Sequence, residues 1–129
     1  MSCFLLPQSL CDELTETMRK FWWGERNSKN KIHWMNWELL CKPKQGGLEF
    51  RDPKAFNLAL LAKQAWRVLT KLNSLLNQVL FGKYCRNNTF LQSKPRSKCS
   101  WGWRSLMAGK EVLLKGLFMQ VGNGEDINF

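Results

Sequence analysis

Residues 52–71 read DPKAFNLALLAKQAWRVLTK, and this stretch decides the fold class. Asp52 suits a helix start because its carboxylate accepts free amide protons, and Pro53 fits the first turn, so the pair marks an N-terminus. The spacing predicts a helix from Pro53 to Leu69 carrying Phe56, Ala59, Leu60, Ala62, Lys63, Trp66 and Leu69. Its small Ala positions are expected to let a second helix pack closely.

Working outward, the same periodicity recurs. Leu10, Leu14, Met18 and Trp22 put an apolar face on a helix from about Pro7 to Trp23, which Gly24 ends. Residues 25–31 read as an exposed connection, Lys31–Trp34 as a short extended piece, and Asn36 as the cap of a brief helix holding Trp37, Leu39 and Leu40. Pro43 and Gly46-Gly47 turn the chain into the alternating Leu48-Glu49-Phe50. Beyond the central helix, Leu75–Tyr84 forms another, Arg86–Ser100 reads as irregular and basic, and Ser100 caps a helix through Leu114 that Gly116 stops. Leu117–Val121, the turn Gly122-Asn123-Gly124 and Asp126–Phe129 read as a β-hairpin. The expected architecture is mainly α: a helical bundle over 1–116 followed by a C-terminal β-hairpin over 117–129.

A chain of 129 residues makes one ordinary domain and buries roughly two thirds of its surface. Hydrophobic residues make up 44%, with seven Trp and eight Phe, which argues for a folded body over a disordered basic tail. Twenty Lys and Arg against ten Asp and Glu leave +10. Counterion release makes nucleic acid the favoured anionic partner, and the cations read as spread along the chain. The alternative is a helical protein-interaction fragment, or a remnant without function, in which the charge is incidental. Five cysteines, an odd count without a C-x-x-C pair, fit free thiols in a reducing compartment. A zinc site needs four ligands at short spacing, and the single His33 is eight positions from Cys41. The segment Phe4–Leu6, stopped by Pro7 and followed by Asp12, Glu13 and Glu16, suits neither a signal nor a transit peptide, and no run reaches transmembrane length. An intracellular protein of the nucleus or mitochondrion, without membrane contact, is expected.

Two-metal nucleotidyl transfer needs clustered carboxylates, and the acidic residues here sit in an amphipathic helix, at a helix start or beside a turn. No phosphate-binding Gly-rich loop is present. No catalytic or metal-binding residue is therefore assigned. Binding chemistry remains: Lys63, Arg67, Lys71, Lys83, Arg86, Lys94, Arg96, Lys98 and Arg104 for phosphates, with Phe90 and Trp103 beside the basic loop for base stacking. Trp22, Trp23, Trp34, Trp37 and Trp66 are assigned to the core.

Seven blocks in one order carry a family resemblance: MSCFLLPQSLCDEL, FWWG, KIHWMNWELLCKPK, GGLEFRDPKAFNLALLAKQAWRVL, SLLNQVLFGKYC, WGWRSLMAGKEVLLKG and VGNGEDINF. Together they span nearly the whole chain and resemble the region after the polymerase domain of plant LINE-type, non-LTR retrotransposon reverse transcriptases. Similar segments occur in open reading frames of plant mitochondrial genomes. The resemblance implies a thumb- or connection-like segment that grips RNA/DNA template and primer. The Mg²⁺-binding palm then lies upstream and further domains downstream, so this stretch carries no cofactor and is inactive as a polymerase alone. Met1 falls at an internal Met of the family pattern, and Phe129 ends inside the hairpin, which suggests a fragment cut at both ends. Glu49 stands where the family block reads Gly-Gly-Leu-Gly-Phe, and Cys85-Arg86 replaces a usual Phe-Pro.

Overall fold

In the computed structural model the described residues are 2–24, 34–42, 48–85, 89–94 and 98–118. They form five α-helices: α1 (Gln8–Trp23), α2 (Trp37–Leu40), α3 (Pro53–Thr70), α4 (Leu75–Tyr84) and α5 (Trp101–Gly116), with a 3-10 turn at Phe90–Gln92. No strand occurs among the described residues. Leu117 and Phe118, the start of the expected hairpin, carry no regular structure; the rest of it lies outside the described residues, as do residues 31–33 of the short extended piece.

Local chemistry sets the helix ends. The Asp52 carboxylate accepts from the Lys54 and Ala55 amides at 3.0 and 3.3 Å. Asn36 accepts from Glu38, Ser74 from Asn77 and Ser100 from Trp103 in the same way. Gly24, in the left-handed region at φ 64°, closes α1 by donating to carbonyls of its last turn. Pro7 sits just ahead of α1 as its cap position, one residue before the helix begins.

The core is the crossing of α3 and α5, the most extensive helix pairing among the described residues. Leu61, Ala65 and Val68 of α3 meet Trp103, Leu106 and Met107 of α5, all buried. The backbones touch at Gly109: a Cβ there would lie 2.4 Å from the Leu61 carbonyl carbon and 2.8 Å from the Ala62 amide nitrogen. Close packing through small residues was expected of α3, but its inward face differs from the sequence reading. Asn57, Leu61, Ala65 and Val68 point inward, whereas Ala59, Lys63 and Trp66 are exposed. The reason is polar. Asn57 is 1% exposed because its amide grips an extended segment, accepting from Leu6 N–H at 3.0 Å and donating to the Phe4 carbonyl at 3.0 Å. Ser105 of α5 accepts from Leu5 N–H at 2.8 Å, so residues 4–6 are strapped across both helices.

Two more buried polar groups fix the remainder. Asn77 of α4 donates to the Val68 and Lys71 carbonyls, satisfying the C-terminal end of α3. Lys110 is 7% exposed and its ammonium donates to the carbonyls of Phe90, Leu91 (3.0 Å) and Ser93, tying the 3-10 turn to α5. Burial holds its pKa below the usual lysine value, against the opposing pull of Cys85 and Glu111. Tyr84 stacks on Trp103 at 4.5 Å and Phe90 meets Trp103 edge-on at 5.9 Å.

At the other end, the Phe50 ring lies 5.0 Å from Trp22 and 4.9 Å from Trp37, joining α1 to α2. Leu48 and Phe50 both donate to the Leu40 carbonyl, and between them Glu49 adopts φ 57°. This is a left-handed conformation that favours glycine.

Four substitutions test these contacts by chemical denaturation. Gly109→Ala forces Cβ into backbone and is expected to lose about 1–3 kcal/mol, whereas Gly82→Ala, with nothing within 4 Å, gains up to about 1 kcal/mol from helix propensity. Glu49→Gly relieves left-handed strain and is expected to gain about 0.5–1 kcal/mol. Lys110→Met leaves the turn carbonyls without their donor and is expected to cost about 1–3 kcal/mol. The native Lys110 binds its proton more weakly than the unfolded chain does. Between the lowered native pKa and the ordinary lysine value, wild type therefore gains stability relative to Lys110→Met as pH rises.

Candidate nucleic-acid interface

The net charge is not spread evenly. Residues 53–110 contain eleven Lys and Arg and no Asp or Glu, so this segment carries +11 and the remainder of the chain, nine cations against ten acids, carries −1. The cations do run along the chain, nine of them outside this segment; it is the acids that are segregated, and the signal for that is their count along the chain. Lys110 is consumed by the core. Lys54, Lys63, Arg67, Lys71, Lys83, Lys94, Lys98 and Arg104 are exposed, while Arg86 and Arg96 lie outside the described residues. Among the described residues, ion pairs join Glu16 to Arg19 and Lys20 on α1 and none engages the basic segment.

The helix geometry brings three of the candidates together. Lys63 and Arg67 lie one turn apart on the exposed face of α3, and Lys71 caps the helix one turn further on. Successive positions are about 6 Å apart along the axis at 1.5 Å per residue. Arg67 is steadied by a 3.2 Å hydrogen bond from its guanidinium to the Gln64 side-chain oxygen. Lys83 stands at the end of α4 with its ammonium 5.4 Å from the Tyr84 ring. Arg104, on the first turn of α5, borders a hollow of about 210 Å³ with Leu5, Leu6, Pro7 and Trp101.

The two stacking candidates require correction. Phe90 and Trp103 are each 1% exposed, packed against one another beneath α5 and closed off by Tyr84. They have no free ring face for a base. The loop that carries Phe90 looks irregular in sequence, but the Lys110 ammonium gathers its carbonyls and folds the ring inward. Conversely, several tryptophans assigned to the core are exposed: Trp34 at 83%, Trp66 at 47% and Trp22 at 45%. Trp66 is the one set on the basic face, one turn from Lys63 and adjacent to Arg67. Sequence reasoning missed it because a large aromatic inside an amphipathic helix reads as core, and Asn57 had already taken the inward register.

Acidic side chains offer no comparable focus: among the described residues no three His, Cys, Asp or Glu side chains converge on a common point. No helix in this part of the chain is long and apolar enough to cross a membrane. The cysteines there are free thiols, with Cys11 and Cys85 buried and Cys3 exposed.

No protein-family model and no solved structure matches the chain. Over 126 residues it is 41% identical to the Arabidopsis thaliana protein named "Uncharacterized mitochondrial protein AtMg00310", a match covering 96% of this chain and 82% of that one. It is also 38% identical, along its whole length, to the Arabidopsis thaliana protein named "Putative ribonuclease H protein At1g65750", of which it spans 22%. With two thirds and more of both chains aligned at that identity, this helical, strongly basic chain belongs to the same family as the Arabidopsis mitochondrial protein AtMg00310.

Proposed function

We propose that the chain is a retroelement-derived, non-catalytic segment of reverse-transcriptase lineage, thumb- or connection-like, that binds nucleic acid through the exposed face of α3. The observation that carries this reading is the acid-free segment 53–110, in which Lys54, Lys63, Arg67, Lys71, Lys83, Lys94, Lys98 and Arg104 are exposed and make no ion pair among the described residues. Such a surface is suited to releasing counterions from a phosphate backbone. The likeness to a segment of a protein named for ribonuclease H supports a nucleic-acid setting, and the mitochondrial relative supports action inside the cell. Activities of those whole proteins are not transferred to a chain that spans 22% of the longer one.

On this reading Lys63, Arg67 and Lys71 follow the sugar-phosphate backbone while Trp66, exposed between them, stacks on an unpaired or terminal base. Charge and ring then contribute separately. Binding of a fluorescent RNA/DNA duplex with a single-stranded overhang, measured across a salt series, separates them. Affinity is expected to fall with a log-log slope of about −0.9 for each phosphate neutralised on B-form DNA and somewhat less on other forms. Lys63→Ala or Lys71→Ala is expected to reduce the slope by about one. Trp66→Ala is expected to weaken binding by about 1–3 kcal/mol with the slope unchanged. A slope near zero, or a wild-type slope retained in both lysine variants, rules the α3 face out.

A further inference from the structure

α4 carries an apolar stripe that the fold leaves uncovered. Leu75, Leu76 and Val79 of α4 are 76%, 50% and 57% exposed, and Leu72, in the turn that leads into α4, is 65% exposed. Rotating the helix cannot bury them. Its opposite side is pinned by Asn77, which is 2% exposed and bonded to the end of α3, and by Leu80, Phe81 and Tyr84 packed on the core. Three large aliphatic side chains held outward on one helix, continued by Leu72 in the turn before it, are a recognition face, not scattered surface residues. The stripe is also not flat. Beside Leu76 it opens into a hollow of about 260 Å³ between α3, α4 and α5, walled by Leu61, Leu80, Leu106 and Phe4, which is deep enough to take one large apolar side chain.

We propose that this stripe docks an amphipathic helix of another protein whose apolar face is flanked by carboxylates. Charge selects the occupant. Lys71 stands at one end of the stripe and Lys83 at the other, both exposed, in a segment with no acidic residue from 53 to 110. A second copy of this chain is disfavoured. A two-fold pairing of α4 brings together two copies of the acid-free segment 53–110, in chains of +10 each. An acid-flanked helix turns the same two lysines from a repulsive rim into a complementary one, while its apolar side chains fill the stripe and the hollow, as in helix-in-groove recognition. This surface shares Lys71 with the α3 face but not Lys63, Trp66 or Arg67, and its apolar contacts do not depend on the nucleic-acid reading.

The test uses the full chain and two fluorescein-labelled synthetic helical peptides. They share Leu at i, i+3, i+4 and i+7, and their flanks are Glu in one and Lys in the other. Anisotropy is expected to show saturable binding of the Glu-flanked peptide. The Leu75→Ser/Val79→Ser variant is expected to weaken it by about tenfold or more. Lys71→Glu/Lys83→Glu is expected to weaken it similarly and to transfer the preference to the Lys-flanked peptide. All four positions are exposed, so helical circular dichroism should be retained, and Trp66→Ala should leave peptide binding unchanged. The proposal is overturned by equal affinity for both peptides, or by insensitivity to both double variants. It is also overturned by a wild-type dimer that Leu75→Ser/Val79→Ser dissolves, or by binding confined to phosphatidylserine vesicles.

Discussion

The contact between the backbones of α3 and α5 at Gly109 governs how the rest of the molecule can be arranged. With no side chain at that point, the Leu61 carbonyl and the Ala62 amide lie where a Cβ would otherwise sit, and the two helices approach as closely as their main chains allow. That proximity brings Asn57 and Ser105 within reach of one stretch of backbone ahead of α1, so residues 4–6 can be held by both helices at once. It also sets Trp103 and Met107 against Ala65 and Val68, and places Lys110 under the 3-10 turn. A wider crossing would separate these groups, and each of the polar ones is too deeply buried to remain unbonded without penalty.

Polar groups, more than apolar ones, select which side of each helix faces inward. Asn57 and Asn77 are almost fully buried while Trp66, Leu75 and Val79 are out in solvent. The result is a molecule with its large aliphatic and aromatic groups on both inside and outside, and with nearly all of its excess cations on the half that contains the crossing. A basic face on α3 and an apolar stripe on α4 follow from the same choice of register, and they point to two kinds of partner on two surfaces.

Where structure depends on a few adjacent residues, it was legible in the sequence. Asp52-Pro53, Asn36, Ser100 and Gly24 announce helix ends because capping is satisfied within three or four residues, and each of those ends is found where it was read. Helix faces were less legible, since they depend on partners distant in sequence. Asn57 binds residues 53 and 51 positions away, and Lys110 serves carbonyls 17 to 20 positions away. No local pattern announces that an amide or an ammonium belongs in the core. Trp66 was therefore placed inside and Phe90 and Trp103 outside, the reverse of what burial shows. Lys63, Arg67 and Lys71 are exposed because a hydrated cation rarely surrenders its solvent, and Lys110 is the exception that has three carbonyls to replace it.

The attachment of Lys110 to the carbonyls of Phe90, Leu91 and Ser93 bears on how the molecule opens. A loop joining two helices ordinarily frays independently of them, because few buried contacts resist its separation. Here one side chain from the middle of α5 holds the turn by its main chain, and Phe90 is wedged beneath Trp103 by the same bond. Lifting the turn would strand a buried cation, so the turn, α5 and the α3 surface beneath it are coupled into a single cooperative unit. Slow amide exchange would then extend from the helix crossing out to the turn, and the boundary between rigid and breathing regions would be drawn by an ammonium group instead of by the edges of secondary structure.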